Sequence, residues 1–341
     1  MPLSDKILLR QLDLELNGGC NYACPMCPQA TGREKNFLKK LPFLVFEKIL
    51  NDAMQYGLET VSLHGSGEPT LNTDMPDFVR SVTARGVRCV SFTNGYRLDE
   101  KLARRLIEAG IDTLRISAIG YDRASYAHWM SMDAFEQVRE NVRRFVNLNA
   151  EMGGKAQIHL HHLITDIARK DEEIALYRRN WGDYTGAMSE IWLMHNWAGS
   201  DIELGYHRDA MVATRAVRRS CGRPFSPLLQ VRAGGLGGHT GAVVACCMVL
   251  GKDTEAVLGH LDTQSIADVV RGGAYENLRA AHRDRRFDDI PYCKDCDQLL
   301  DVAEALVWAD IPGRTYGQSK IVDGLDHRTF SADPSARLAS R

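Results

Sequence analysis

The sequence predicts an α/β chain: a partial (βα)6 TIM-like barrel followed by a smaller β-hairpin and helix extension. Three observations predict it. Strand-like and helix-like runs alternate about six times over roughly the first 200 residues, where a full barrel needs eight. The turns "GSGEP", "TNG" and "ISAIG" close strand-like runs, and carboxyl-terminal strand ends are where such sheets bind ligands. After about Gly205 the alternation stops and a glycine-rich hairpin pattern takes over.

Each element follows from its own residues. "RQLDLEL" alternates polar and apolar residues and reads as a half-exposed strand. The loop "CNYACPMCPQ" follows it directly. "FLVFEKILNDAMQYG" has helical periodicity and stops at Gly57; "TVSLHG" is a short strand. "DMPDFVRSVTARG" is a helix from Asp74 to Gly86, and "VRCVSFT" is a strand. "DEKLARRLIEAG" is a helix with Asp99 as N-cap and Gly110 just past its end. "TLRIS" is a strand and "DAFEQVRENVRRFVNLNAEMGG" a long helix. "AQIHLHHLIT" and "EIWLMHN" are strands on either side of the helix "DEEIALYRRNW". The stretch "RPFSPLLQVRAGGLGGHTGAVVACCMVLGKD" reads as the hairpin. Helices near "TQSIADVVRG" and "AYENLRAAHRDRR" lead to "PYCKDC", and "DQLLDVAEALVWADI" reads as a final helix. The expected domains are 1–204 for the barrel, 205–312 for the extension and 313–341 for a loose polar tail.

Apolar residues make up 44% and charged residues 25% of 341, so a large core is expected. The net charge of -2 gives no support to a nucleic-acid partner, which favours a basic face. No basic start leads into an apolar stretch, and no run of about 18 apolar residues occurs. The expectation is a cytoplasmic protein without membrane contact.

Nine cysteines are present. Cys89 lies in an apolar strand and reads as a small core residue. Cys20, Cys24 and Cys27 form C-x3-C-x2-C, and in a reducing compartment such clusters indicate metal or catalysis. Three thiolates can hold three irons of a cubane 4Fe-4S cluster and leave the fourth open for a small molecule. A zinc site is the other reading of the spacing.

On these residues the chain resembles the radical S-adenosylmethionine (radical SAM) enzymes. Their signature is C-x3-C-x2-C on the loop after the first strand of a (βα)6 partial barrel. Met26 stands where the family usually has an aromatic residue packing near adenine. Ser66-Gly67-Glu68-Pro69 resembles the turn that binds the methionine amino group, with Gly67 allowing close backbone approach and Glu68 supplying charge. Asn94, in "TNG", and Ser117, at the fourth strand end, match positions that touch the cofactor. His161 sits where a polar residue often faces the site; alternation puts His159 on the same face and His162 on the other. The resemblance implies S-adenosylmethionine as cofactor, cleaved by the reduced cluster to a 5'-deoxyadenosyl radical that takes hydrogen from a C–H bond. It also implies a flavodoxin- or ferredoxin-type reductant.

"CGRPF" at Cys221, the G-x4-C from Gly241 to Cys246, and Cys293-Lys-Asp-Cys296 look like the SPASM/twitch extension of the same enzymes. No cysteine follows Cys296, as in the twitch form, which implies one auxiliary 4Fe-4S cluster held by Cys221, Cys246, Cys293 and Cys296. A structural zinc site is the rival. Strand alternation points Cys247 away from Cys246. Cys247 then reads as a small buried residue or, as in radical epimerases, a hydrogen-atom donor. A fully ligated cluster can accept an electron, which suits net oxidation.

With the first strand near Ile7, an added N-terminal peptide-recognition domain is not expected, which favours a small molecule. The short architecture resembles carbohydrate-modifying members of antibiotic pathways. The expected reaction is net oxidation of a secondary alcohol on a sugar, aminocyclitol or sugar nucleoside, with His161 or His195 as base. Alternatives are a radical decarboxylase, a radical epimerase, a peptide maturase and, from another class, a non-enzymatic iron–sulfur electron carrier.

Overall fold

The polar residues of the first strand are not half-exposed. Gln11, Asp13 and Glu15 are 5%, 1% and 1% exposed in this computed structural model, which describes residues 7–30, 39–199, 218, 220–249, 254–299 and 306–311. The alternation is real, but its polar face lines the inside of a curved sheet rather than solvent. Strands β1 (Gln11–Leu14), β2 (Thr60–Leu63), β3 (Arg88–Thr93), β4 (Thr113–Ser117), β5 (Gln157–Ile164) and β6 (Met188–Leu193) are parallel neighbours in chain order. Gln11, Ser62, Phe92, Arg115, His161 and Glu190, one from each strand, line a single cavity.

The other face is apolar. Leu12, Val61, Cys89, Leu114, Leu160 and Ile191 lie at the opposite parity and are 0% exposed. Each such apolar side chain contributes about 1.5–3 kcal/mol on burial. The helices on the barrel side are α1 (Phe43–Met54), α2 (Met75–Thr83), α3 (Glu100–Glu108), α4 (Arg123–Met130), α5 (Phe135–Glu151) and α6 (Lys170–Tyr177). Asp99 caps α3 as expected, its Oδ1 accepting from Leu102 N at 2.8 Å. Helix α4 escapes a search for periodicity because its run, "RASYAHWM", has no apolar stripe. A capping box defines it instead: Asp122 accepts from Ser125 N at 2.8 Å, and Ser125 Oγ accepts from Asp122 N at 3.0 Å.

The extension does not form a separate sheet. Its first strand, β7 (Leu228–Gly234), pairs in parallel with β1; β8 (Thr240–Val244) and β9 (Val257–His260) follow antiparallel. Helices α7 (Ile266–Val270) and α8 (Gly273–Arg283) come after them. The final helix is corrected where it is described: Asp297–Leu299 is a 3-10 turn, and Leu306–Ala309 is a strand, β10, antiparallel to β6. Without β10, the outer edge of β6 would leave backbone groups unpaired, and "LVWA" is rich in strand formers. Among the described residues the sheet has ten strands and is not closed; β10 and β9 are its edges. The boundary at 204/205 and the tail 313–341 lie outside the described residues. Among the described residues, no helix is long and apolar enough to cross a membrane.

One buried staple holds β5 in place. His162 points outward from the strand, 0% exposed, and its Nδ1 accepts from Gly120 N at 3.2 Å. The proton therefore sits on Nε2, which donates to Glu173 Oε1 at 2.8 Å. Glu173 also accepts from Thr165 N, Thr165 Oγ1 and Asp166 N, at 2.9, 2.8 and 3.1 Å. Burial pushes the Glu173 carboxyl up, but His162 and the Thr165 donors outweigh it and leave it below the usual carboxylate range. A lowered carboxyl adds stability that is present above its unfolded value and lost as pH falls through its folded value. Glu173→Ala leaves buried donors on His162 and the β5 end unpaired, and we expect it to cost about 1–3 kcal/mol in urea unfolding at neutral pH. The gap from the parent should shrink in acid; equal midpoints at neutral pH contradict this account.

Candidate active site

The three thiols near the amino terminus are placed by backbone contacts. The loop after β1 is closed by Gln29 Nε2 donating to Gly18 O at 2.6 Å and Asn17 Nδ2 donating to Gly19 O at 2.6 Å. It docks on the turn after β2, where Glu68 N donates to Gly19 O at 2.8 Å. A side chain at Gly67 has no room: its Cβ would lie 2.1 Å from Asn17 O and 2.4 Å from Gly19 O. Glycine is thus required at this position for close approach to the cysteine loop. Cys20 is exposed, while Cys24 and Cys27 are half-buried. Tyr22 N donates to Cys20 Sγ at 3.5 Å.

All three cysteines open into one cavity of about 350 Å³, with Met26 buried in its wall. Ser66, Gly67, Glu68, Asn94 and Ser117 line the same cavity. Glu68 is 3% exposed and its carboxylate is fully used within the protein. Oε1 accepts from Thr70 N, Thr70 Oγ1 and Thr93 Oγ1 at 3.0, 2.6 and 2.6 Å, and Oε2 accepts from Asn94 N at 2.8 Å. Burial raises its pKa against the pull of these donors. Glu68 therefore ties the β2 turn to the β3 turn. Asn94 carries the tie onward, Nδ2 donating to Asn21 Oδ1 in the cysteine loop at 2.9 Å.

His161, His195 and Cys247 reach the cavity from other elements. His161 meets Phe92 edge-on, ring centroids 6.2 Å apart, and His195 packs on Trp197 at 4.4 Å. His159 shares the inner face of β5 and is 2% exposed, as alternation requires. Five charged residues that sequence reasoning missed also line the cavity: Arg88, Arg115, Glu190, Arg223 and Arg232. Arg115, Glu190 and Arg232 occupy inner-face positions of β4, β6 and β7, so a charge in mid-strand was the available signal. Glu190 Oε1 accepts from Trp192 Nε1 at 2.8 Å. Arg115 stands over the Phe92 ring at 5.1 Å.

Cys221, Cys246, Cys293 and Cys296 line a second, smaller pocket. Cys246 and Cys247 do face different spaces, but strand alternation is not the cause: both lie beyond the end of β8, in a turn. Arg223, Met248 and Gln298 line both pockets and form the wall between them. Backbone N–H groups two residues on, at Arg223, Met248 and Gln298, point at Cys221, Cys246 and Cys296. Tyr22 N does the same for Cys20. Such donors favour thiolates, and all-thiol sets suit iron–sulfur clusters. Among the described residues, no three His, Cys, Asp or Glu side chains converge on a single ion; a cubane takes one thiolate per iron and needs them spread.

Comparison with known proteins agrees. Residues 14–171 match the radical SAM superfamily and residues 238–297 match an iron–sulfur cluster-binding domain, SPASM. A probable GTP 3',8-cyclase of Saccharolobus solfataricus is 32% identical over 142 residues, 41% of this chain and 44% of that protein. One from Methanococcus maripaludis is 26% identical over 140 residues, 41% and 46% of the two chains. The matched stretch thus spans less than half the length of these curated relatives. In fold, the chain is similar to BtrN in complex with AdoMet and 2-DOIA, with a TM-score of 0.57 at 19% identity over 86% of this chain and 94% of that one. It is also similar to Streptococcus suis SuiB bound to precursor peptide SuiA, with a TM-score of 0.61 at 14% identity over 85% and 71%. The chain therefore carries a radical SAM domain, the type that uses S-adenosylmethionine with a 4Fe-4S cluster, which holds the thiol loop and its docking turns, and an iron–sulfur cluster-binding SPASM domain, which holds Cys246, Cys293 and Cys296 of the second thiol pocket.

Proposed function

We propose that the chain oxidises a secondary alcohol of a small polyhydroxylated substrate, a sugar, aminocyclitol or sugar nucleoside. One observation carries the reading: a largely apolar cavity, with Ser62, Arg115, His161 and Glu190 among its lining residues, opens onto Cys20, Cys24 and Cys27, and the Arg223–Met248–Gln298 wall separates it from the second thiol set. Cys20, Cys24 and Cys27 would hold the first cluster; Cys221, Cys246, Cys293 and Cys296 would hold one auxiliary cluster. When bound, these groups and S-adenosylmethionine supply a hydrogen-abstracting 5'-deoxyadenosyl radical and a one-electron acceptor. A flavodoxin- or ferredoxin-type protein is the proposed reductant.

The chain's own residues do the rest. Arg115, Glu190 and Ser62 offer donors and acceptors to hydroxyl groups along the inner face. His161 or His195 takes the hydroxyl proton, so the carbinol loses a hydrogen atom, a proton and an electron and becomes a ketone. Leu163, Trp192 and Trp197 close the wall with apolar surface that excludes water. The fold likeness to BtrN, whose structure holds 2-DOIA, supports a small substrate. The GTP 3',8-cyclases match too little of this chain to lend it their substrate.

A second reading, radical epimerisation, is favoured by Cys247, which faces the same cavity. The two separate with aminocyclitols deuterated at the carbinol carbon. Oxidation moves deuterium into 5'-deoxyadenosine and yields one ketone for each cofactor cleaved. Epimerisation returns an inverted alcohol carrying solvent hydrogen, and Cys247→Ala stops it; cofactor never cleaved with any candidate points instead to an electron carrier.

The two thiol sets should also separate in metal content. Replacing Cys20, Cys24 and Cys27 by Ala is expected to remove about half of the bound iron and all cofactor cleavage. Retention of the full iron content contradicts the assignment. Gly67→Ala should lower loading of the first cluster selectively, because the added Cβ displaces the loop that carries it; equal loading of both sets speaks against that role.

A further inference from the structure

Arg223 occupies an unusual place. It is 8% exposed, sits two residues after Cys221, and lines both the substrate cavity and the four-thiol pocket. Its Nη1 donates to Cys247 Sγ at 2.6 Å, while Nη2 is buried and makes no hydrogen bond among the described residues. A buried donor without a partner is costly, so Nη2 is a donor left for a group in one of the two pockets. A guanidinium also stays charged under all ordinary conditions.

The other charges nearby do not duplicate it. Arg279 is turned to the backbone, Nε donating to Pro224 O at 3.0 Å and Nη1 to Val270 O at 2.7 Å. Arg232 donates through Nη2 to Cys247 O and Val249 O, at 3.0 and 2.8 Å, and lies 3.8 Å from Glu15. Asp297 opposes from beside Cys296, its carboxylate accepting from Asn196 N at 2.7 Å and Gln298 Nε2 at 3.1 Å. His282 adds a neutral contact, with Nε2 3.7 Å from Cys293 Sγ. Among these, Arg223 alone is a cation facing the thiols across the shared wall.

We infer that Arg223 is a positioning residue that raises the reduction potential of the cluster held by Cys221, Cys246, Cys293 and Cys296. The inference deepens the proposed oxidation and rests on that ligand assignment. Gaining one electron makes the cluster one unit more negative. A fixed cation in a low-dielectric wall favours that reduced form, and net charge, hydrogen bonds and burial are the levers that set such potentials. Arg223 thereby makes the auxiliary cluster a better acceptor on the side that faces the substrate.

The test is a redox titration of the anaerobically reconstituted full chain, followed by electron paramagnetic resonance, with no substrate present. Arg223→Gln should lower the auxiliary cluster's potential by at least 59 mV, a tenfold change for a one-electron couple, and leave the first cluster's potential in place. Arg223→Lys keeps the charge and should stay close to the parent; Cys247→Ala keeps Arg223 and should do the same. An unshifted Arg223→Gln protein with full iron content overturns the inference, and so does a lysine variant shifted as far as the glutamine one. If only the glutamine variant fails to load, a loaded lysine variant at the parent potential supports the role; failure of both to load makes Arg223 structural and overturns it. Because the titration needs no substrate, a shift seen without any alcohol oxidation sinks the proposed reaction and leaves this inference standing.

Discussion

The structure depends on a contact between two stretches of backbone with no side chain between them. The turn at Gly67 lies against Asn17 O and Gly19 O so closely that a methyl group is excluded. That approach presses the thiol loop onto the carboxyl ends of β2 and β3. Glu68 then spends its whole carboxylate on joining those two turns, and Asn94 passes the connection to Asn21. The three thiols are therefore carried by a loop whose base is locked to the sheet. Such support matters for a reactive centre, because a site held only by its own loop would not keep its geometry.

The second constraint is the inward polarity of the strands. A sheet whose inner face carries Gln11, Arg115 and Glu190 cannot close on itself as a dry core, because those groups need partners. The space stays open, and the outer face supplies the stability through apolar residues packed under the helices. The extension makes use of the same sheet: β7 pairs with β1, so the second thiol pocket sits beside the barrel cavity rather than on a tethered domain. Arg223, Met248 and Gln298 face both spaces as a consequence.

Much of this was legible in the chain. The strand and helix order of the barrel followed from periodicity, and Asp99 announced its helix by a short-range rule. Helix α4 was missed because its boundary is set by the Asp122–Ser125 pair, while its body has no apolar stripe. The last segment was misread because "LVWA" becomes a strand only by pairing with the β6 edge, some hundred residues earlier in the chain. Arg115, Glu190 and Arg232 were passed over as ordinary strand residues. Their parity was readable, but nothing in one strand says which of its faces is the inside.

By itself the sequence determined the thiol spacings, the glycine that the docking turn requires and the alternation that makes a βα barrel. Those are local properties, set within a few residues by sterics and hydrogen bonding. The tertiary structure alone decided that the polar face of β1 looks inward, that Cys246 and Cys247 serve different pockets, and that Arg223 stands between two thiol-lined spaces. Each of these depends on which distant segments meet, and burial, partners and electric field are fixed only when they do.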